Sequence, residues 1–343
     1  MAFATPDQYA EMLDRAKAGG FAYPAINVSS SQTINAVLQG LQEAGSDGIL
    51  QVTTGGADYF AGHTVKNRAV GAIAMAEYVK RVAASYDITV AVHTDHCPKD
   101  ALDSFLLPIV AASEEQVKAG GAPIFHSHMW DGSAVPLDEN IEIAGELLPR
   151  MHAIGSILEI EVGVVGGEED GVRHEGSNDA LYTTVADVAK AVEALGQGEK
   201  GRYISALTFG NVHGVYKPGN VKLRPELLGE IQEGIAAQFG TDPKPLDLVF
   251  HGGSGSTDQE IATAVANGVI KMNIDTDTQY AFTRSIAGYM FSNYDGVLKV
   301  DGEVGNKKQY DPRAWGKVAE TAMAARVVEA TKQLGSHGQS QKA

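Results

Sequence analysis

One stretch decides the fold: Val90-Ala91-Val92-His93-Thr94-Asp95-His96-Cys97-Pro98. It begins as a β-branched, apolar run typical of a buried strand, and it ends in an acid, an imidazole and a proline that stops further strand pairing. Ionisable groups at the end of a buried strand are costly unless they are paired or functional. The stretch therefore predicts a buried strand with a candidate site at its carboxyl end.

The same pattern recurs along the chain, where apolar runs alternate with segments of helical periodicity. The predicted strands are 24–28, 48–53, 89–94, 123–126, 157–165, 203–209, 246–251 and 269–274. The predicted helices between and after them are 31–44, 65–85, 99–119, 138–153, 184–195, 225–239 and 257–267. Strands separated by helices imply right-handed crossovers and a parallel sheet, and eight of them favour a closed (β/α)8 TIM barrel over an open doubly wound sheet.

The two ends of the chain extend this alternation. An extra helix is predicted over residues 5–18, before the first strand, and a C-terminal helical extension is predicted over 277–291 and 313–334. No linker rich in proline or serine divides the sequence. We therefore expect a single barrel catalytic domain over residues 1–343, with a flexible, polar tail from about residue 335 to residue 343.

Charge and cysteine content exclude several classes of partner. The chain carries 27 basic and 43 acidic residues, a formal charge of −16, which argues against nucleic acid and against an anionic membrane surface. The single cysteine, Cys97, rules out an internal disulfide and suits a reducing compartment. No apolar run of about 18 residues is present. These features predict a cytoplasmic protein, in which an anionic substrate would need a local cluster of basic residues.

Polar residues follow nearly every predicted strand, at the end where a barrel of this kind carries its active site. They are Asn27, Thr53, Asp95, His96, His126, His128, Asp131, Glu159, Glu161, Asn211, His213, His251, Asn273, Asp275 and Asp277. Among them, His96, His213 and His251 follow three different strands and could supply the three nitrogens of a catalytic zinc site with one open position. Asp131 and Glu161 are either partners of these histidines, an alternative metal position, or ordinary hydrogen-bonded carboxylates.

Two loops carry further candidate functions. The glycine-rich run 251–256 precedes a helix start and follows the seventh strand, where barrels often bind phosphate, and Lys217 could supply a cation nearby. The loop 163–171 combines glycines with Glu168, Glu169 and Asp170, which is typical either of a mobile loop carrying a general base or of a solvated acidic loop.

Over essentially its whole length the chain resembles the class II, metal-dependent fructose-bisphosphate aldolases. The matching stretches, in order, are 94–97 (TDHC), 127–133 (SHMWDGS), 158–163 (LEIEVG), 166–171 (GGEEDG), 209–219 (FGNVHGVYKPG), 250–256 (FHGGSGS), 271–279 (KMNIDTDTQ) and 310–313 (YDPR). The resemblance implies a lyase of glycolysis and gluconeogenesis that reversibly cleaves fructose 1,6-bisphosphate to dihydroxyacetone phosphate and glyceraldehyde 3-phosphate. The eighth-strand block resembles the fructose-type subgroup.

The resemblance also implies roles for individual residues. It makes His96, His213 and His251 the ligands of a catalytic Zn2+, Asp95 the acid/base at the substrate C4 oxygen, and Glu169 the base on the enolising carbon. The residues implied at the dihydroxyacetone-phosphate half are Gly214, Lys217, Gly252, Ser254, Asn273 and Asp275. Those implied at a monovalent cation, Na+ or K+, are Val212, Gly214, Gly252 and Ser254.

Thr53 stands where the family often has serine near the first phosphate, and Asn27 is also expected in the substrate site. Arg313 matches an arginine that reaches the other phosphate from a neighbouring subunit, which implies a homo-oligomer, either a dimer or a tetramer. Three alternatives stay open: an aldolase for tagatose or sedoheptulose bisphosphate, a Schiff-base aldolase that uses Lys271 as its nucleophile, and a non-catalytic metal-binding protein or adhesin.

Overall fold

The computed structural model describes residues 2–163, 182–211, 222–298 and 305–342 in full, and only the backbone of 166–169, 172–174 and 212–213. The strands are β1 (Tyr23–Asn27), β2 (Gly48–Val52), β3 (Val90–Thr94), β4 (Ser127–Trp130), β5 (Ile157–Val162), β6 (Gly166–Glu169), β7 (Val172–His174), β8 (Tyr203–Leu207), β9 (Val212–His213), β10 (Leu248–Phe250) and β11 (Val269–Ile274).

The helices are α1 (Pro6–Gly19), α2 (Ser31–Ala44), α3 (Thr54–Phe60), α4 (Arg68–Ala83), α5 (Leu107–Lys118), α6 (Leu137–Ile154), α7 (Val185–Leu195), α8 (Glu226–Phe239), α9 (Asp258–Ala266), α10 (Thr276–Ser292), α11 (Tyr294–Val297), α12 (Lys307–Tyr310) and α13 (Pro312–Gln333). A short 3-10 turn (Lys99–Ala101) and a π-helical turn (Leu102–Leu106) lead into α5.

Eight strands close into a parallel barrel in the order β1-β2-β3-β4-β5-β8-β10-β11, and β11 pairs again with β1. The predicted TIM barrel, its N-terminal helix and its C-terminal helices are therefore confirmed. A small second sheet, β7-β6-β9, lies outside the barrel and was not predicted. It joins the glycine- and acid-rich loop to the segment that contains His213.

The predicted fourth strand, 123–126, was wrong by four residues, because β4 spans Ser127–Trp130. Apolar alternation did not reveal this strand because its first two side chains are polar. Each of them is satisfied by the strand alongside: Ser127 Oγ lies 2.8 Å from His93 Nδ1, and His128 Nδ1 lies 2.8 Å from Thr94 Oγ1. Hydrogen bonding between neighbouring strands therefore permits a polar sequence at a fully buried position.

The barrel is filled by apolar side chains at its N-terminal end and by polar ones at its C-terminal end. The helix α1 closes the N-terminal end, because its buried stripe of Tyr9, Met12, Leu13 and Ala16 packs in one cluster with residues of the inner barrel wall. A second, larger apolar layer lies between the strands and the surrounding helices. The open, polar end of the barrel is thus left for chemistry.

The C-terminal residues, which were predicted to form a flexible tail, make specific hydrogen bonds to the rest of the chain. Ser340 Oγ and the Gln341 amide donate to the two carboxylate oxygens of buried Asp47, each at 2.7 Å, and the Thr89 amide donates to the same carboxylate at 2.6 Å. Burial raises the pKa of Asp47, against these hydrogen bonds. The tail therefore supplies donors to a carboxylate at the N-terminal end of β2.

None of the helices in the described part of the chain is long and apolar enough to cross a membrane.

Candidate active site

The backbone turns sharply where β3 ends, and this turn assembles the site. Thr94 is the last strand residue, and the Asp95 amide still donates to the Val52 carbonyl of β2 at 2.9 Å. His96 then has φ +21°, a value that side chains other than glycine rarely adopt. Strict alternation would point the side chains of Asp95 and His96 to opposite faces, but the turn brings His96 Nε2 within 4.0 Å of Asp95 Oδ1.

The Asp95 carboxylate is buried and is held by three side-chain amides from three different strands. Oδ2 accepts from Asn27 Nδ2 and from Gln51 Nε2, both at 2.9 Å, and Oδ1 accepts from Asn273 Nδ2 at 3.0 Å. Gln51 Nε2 also donates to Asn27 Oδ1 at 2.6 Å, which ties two of the donors together. Three side chains of the barrel wall therefore hold the Asp95 carboxylate in one position.

His251, which directly follows β10, lies against His96. The two ring centroids are 4.8 Å apart, and one ligand atom each from Asp95, His96 and His251 all lie within 4.8 Å of one another. A second such group contains His96, Asp131 and Glu161. Two imidazoles surrounded by carboxylates are a donor set that suits zinc, so the described residues fit the metal that the sequence implied.

Each imidazole uses one nitrogen to bind a carboxylate that sets its orientation. His96 Nδ1 lies 2.9 Å from Asp131 Oδ2, and His251 Nε2 lies 2.7 Å from Glu159 Oε1. This arrangement of metal-binding histidines with carboxylate partners fixes both the tautomer and the ring plane. Asp131 therefore has the orienting position that the sequence left open, while Glu161 Oε2 lies farther out, 3.7 Å from His96 Nδ1 and 3.6 Å from His251 Nδ1.

Glu159 is the centre of a buried ionic cluster beneath the two histidines. Its Oε2 lies 2.8 Å from Lys271 Nζ and 3.5 Å from His93 Nε2. Burial acts to raise the pKa of Glu159, but Lys271 and then the histidines outweigh it, so that this pKa lies well below its usual range. For His251, burial lowers the pKa, but the hydrogen bonds to Glu159 and Glu161 raise it to about 9.

A cavity of about 580 Å³ opens beside this centre. Its walls include three of the predicted substrate residues, Asn27, Thr53 and Asp275, together with side chains of α10 and α13. The Thr53 hydroxyl also caps α3, because it accepts from the Gly56 amide at 3.0 Å. The cavity is large enough for a phosphorylated sugar and lies at the C-terminal ends of β1, β2 and β11.

The other predicted residues divide into three groups. Gly252 and Ser254 lie in the loop after β10, where Gly252 has φ +61°, and Asn273 contacts Asp95. Arg313 is 88% exposed and binds only Asp311 among the described residues of its own chain. The side chains of Glu169, Val212 and His213, and all atoms of Gly214 and Lys217, lie outside what the structure describes.

Gln51 contributes to the site but was not predicted, and Glu159 was predicted only as a polar residue at a strand end, without a role. Both are polar residues inside strands that are otherwise apolar, two positions before a polar residue that was predicted, Thr53 and Glu161 respectively. Because side chains two apart in a strand share a face, this spacing is the signal that could have identified them. Lys271, two positions before Asn273, follows the same rule.

Comparison with known proteins gives one consistent result. The family model "Fructose-bisphosphate aldolase class-II" matches residues 7–339. A fructose-bisphosphate aldolase of Streptomyces coelicolor is 65% identical over 341 residues, covering 99% of each chain. One from Mycobacterium tuberculosis is 59% identical over 342 residues, again covering 99% of each chain.

A solved structure agrees with these sequence matches. The crystal structure of fructose-bisphosphate aldolase from Campylobacter jejuni superposes with a TM-score of 0.86 at 39% identity, covering 98% of this chain and 97% of the other. The family match, the sequence relatives and the barrel fold therefore agree over nearly the full length. The chain belongs to the class II fructose-bisphosphate aldolase family.

Proposed function

We propose that this chain catalyses the reversible cleavage of fructose 1,6-bisphosphate to dihydroxyacetone phosphate and glyceraldehyde 3-phosphate, using the residues described above. The observation that carries the proposal is the convergence of Asp95, His96 and His251 within 4.8 Å, beside a cavity of about 580 Å³. One acid/base carboxylate and a set of metal-binding imidazoles are the groups that metal-assisted aldol cleavage requires.

His96 and His251 would hold the metal together with His213, which the family resemblance adds as the third ligand. Bound zinc supplies a Lewis acid that polarises the substrate carbonyl and stabilises the negative charge that develops beside it. The protein fixes its ligands in advance, because Asp131 and Glu159 orient the two described rings. A preorganised site of this kind spends little free energy on rearrangement during the reaction.

Asp95 would remove the proton of the C4 hydroxyl in cleavage and return it to the aldehyde in condensation. The three amides that bind its carboxylate support this role, because they hold both oxygens at defined positions in a buried setting. Glu169, carried on the glycine-rich loop, is proposed as the base that exchanges the proton on the dihydroxyacetone-phosphate half.

The phosphates require contacts beyond this centre. For the dihydroxyacetone-phosphate half we propose Gly214, Lys217, Gly252, Ser254, Asn273 and Asp275. We propose Thr53 near the first phosphate, Arg313 at the other phosphate, and Asn27 as a further substrate contact. Backbone and hydroxyl oxygens of Val212, Gly214, Gly252 and Ser254 would hold Na+ or K+ near the first phosphate. Comparing activity in sodium, potassium and tetramethylammonium salts at one ionic strength tests the cation.

A Schiff-base mechanism through Lys271 is disfavoured. The Lys271 ammonium is ion-paired with Glu159 at 2.8 Å and also donates to Asn273 Oδ1 at 2.6 Å, whereas a nucleophile must be a neutral amine. Cleavage of fructose 1,6-bisphosphate should therefore disappear on chelation and return with zinc. Borohydride with dihydroxyacetone phosphate should leave activity intact, and a trapped adduct on Lys271 would reverse this assignment.

The same chelation experiment tests the non-catalytic alternative, because a metal carrier or adhesin would show no cleavage in either state. Tagatose and sedoheptulose bisphosphates, assayed beside the fructose substrate, test the ketose preference.

Two further features of the protein are proposed. We propose a cytoplasmic homo-oligomer, either a dimer or a tetramer, in which Arg313 of one subunit serves the site of another. The exposure of Arg313 supports this, since on its own chain it binds only Asp311 among the described residues. Mixing two inactive variants, Arg313→Ala and Asp95→Ala, should restore some activity if the residue acts across an interface, and none if it acts within one chain.

A further inference from the structure

Lys271 is a fully buried cation directly beneath the candidate active site. It lies on β11 and has no exposed surface. Its Nζ atom donates to two different side chains, Glu159 Oε2 at 2.8 Å and Asn273 Oδ1 at 2.6 Å. Because burial of an unpaired ammonium is very costly, both contacts are strongly favoured in the folded chain.

The contact with Asn273 fixes which way its amide faces. An ammonium group can only donate hydrogen bonds, so the Asn273 oxygen must face Lys271 and its NH2 group must face away. That NH2 group donates to Asp95 Oδ1 at 3.0 Å. A flipped amide would set a donor against the ammonium and an oxygen against the carboxylate, so Lys271 determines that Asp95 receives a donor here.

The contact of Lys271 with Glu159 fixes the orientation of a second group in the site, the His251 ring. Lys271 holds one carboxylate oxygen of Glu159, and the other oxygen lies 2.7 Å from His251 Nε2. A carboxylate accepts, so Nε2 carries the hydrogen, and Nδ1, which lies 3.6 Å from Glu161 Oε2, is the nitrogen that would bind a metal. His93 Nε2 also lies close to this carboxylate, 3.5 Å from Glu159 Oε2.

We propose that Lys271 is a positioning residue that sets the acid/base carboxylate Asp95, through Asn273, and the metal-binding ring of His251, through Glu159. One buried ammonium group thereby orients both the Asp95 carboxylate and the His251 ring. The inference rests on the proposed function for the roles of Asp95 and His251, but the contacts themselves do not depend on it.

The test compares Lys271→Met with Lys17→Met in the full-length protein. Methionine keeps most of the side-chain volume and removes the charge and the donors. Lys17 is the matched control, because it also makes a 2.8 Å ion pair, with Asp247, at the opposite end of the barrel. The measurements are zinc affinity by competition with a chelator, KM and kcat for cleavage, and the rate of proton exchange between solvent and dihydroxyacetone phosphate at saturating zinc.

We expect Lys271→Met to bind zinc about 10-fold more weakly, the lower end of the loss seen when partners of metal ligands are removed. At saturating zinc, kcat for cleavage should fall at least about 10-fold with little change in KM. Exchange should fall less, since it does not use Asp95. Lys17→Met should match the wild type in all these measurements.

Two results would overturn the proposal. One is wild-type zinc affinity in Lys271→Met, with cleavage and exchange reduced by the same factor. The other is full recovery of zinc affinity and cleavage in the double variant Lys271→Met/Glu159→Gln. This variant removes both buried charges, so it can also be measured if the single variant folds poorly. If the wild-type protein failed to cleave fructose 1,6-bisphosphate, the proposed function would fall, while zinc affinity would still report on the Glu159 contact.

Discussion

The Nδ1 atom of His96 lies 2.9 Å from Oδ2 of Asp131. The other oxygen of Asp131 accepts from the amide and the hydroxyl of Ser133, at 3.0 and 2.6 Å, so the carboxylate cannot rotate freely. Burial acts to raise the pKa of Asp131, but His96 and Ser133 outweigh it and lower that pKa. The carboxylate therefore stays charged and holds the ring in one orientation.

Replacing Asp131 with alanine should weaken zinc binding about 10- to 100-fold, because the His96 ring loses its orienting partner. Competition with a chelator measures the change. Asp138→Ala is the matched control, since Asp138 is exposed and lies 3.3 Å from Lys190 on the outside of the barrel. Equal zinc affinity in the two variants would contradict the orienting role.

The Asp95→Ala variant should keep its zinc content but lose turnover by about 10²-fold or more, the usual scale for a positioned acid/base group. Metal analysis and cleavage assays on the same preparation test both parts. Full activity in this variant would rule out the role assigned to Asp95.

Replacing Gln51 with leucine should lower kcat for cleavage about 10-fold, because one of the three donors to Asp95 is lost while the side-chain volume is nearly kept. Zinc affinity should not change. Gln39→Leu is the control, since Gln39 bonds to Glu43 on the surface of α2. A Gln51→Leu enzyme with wild-type kcat would show that two amides suffice.

Acid should destabilise the fold through His126. Its Nδ1 accepts from the Val92 amide and its Nε2 donates to the Ala4 carbonyl, which requires the neutral ring, and burial lowers its pKa to about 4. The unfolded chain binds this proton near pH 6.5, so stability is complete above that pH and is lost as the pH falls towards 4.

Between pH 7.5 and pH 5, this one group should remove about 2 kcal/mol from the free energy of unfolding. Urea unfolding at the two pH values measures the loss, and His126→Gln should show a loss smaller by that amount. The buried His93 and His128, whose pKa values burial also lowers, contribute to the slope that both proteins share. An identical pH dependence in the two proteins would contradict the assignment to His126.

Deleting residues 339–343 should lower the free energy of unfolding by about 1 to 3 kcal/mol, because Asp47 loses two donors while its carboxylate stays buried. Chemical denaturation measures the difference. Lys342→Ala should have little effect by comparison, and a truncated chain as stable as the full one would show that water replaces the tail.

The barrel and the strand ends could be predicted because they depend on local sequence. Apolar runs bounded by polar residues identified β3 and β11, and with them Asp95, His96 and Asn273. The strand β4 could not be found in this way, since Ser127 and His128 are acceptable only when His93 and Thr94 lie alongside. The two-residue spacing places Gln51 and Glu159 on the same face as Thr53 and Glu161, but it does not identify their partners, Asp95 and His251, which are distant in sequence.

The turn at His96 has a consequence for how the enzyme tolerates change. Because the proposed acid/base residue, Asp95, and a proposed metal ligand, His96, are consecutive, a single peptide unit of fixed length, about 3.8 Å between Cα atoms, separates them. Thermal motion or a packing substitution that shifts β3 therefore carries both groups in the same direction, and their mutual spacing survives. The contacts that can shift are those supplied from other parts of the barrel: Asp95 with Asn27, Gln51 and Asn273, and His96 with Asp131 and His251.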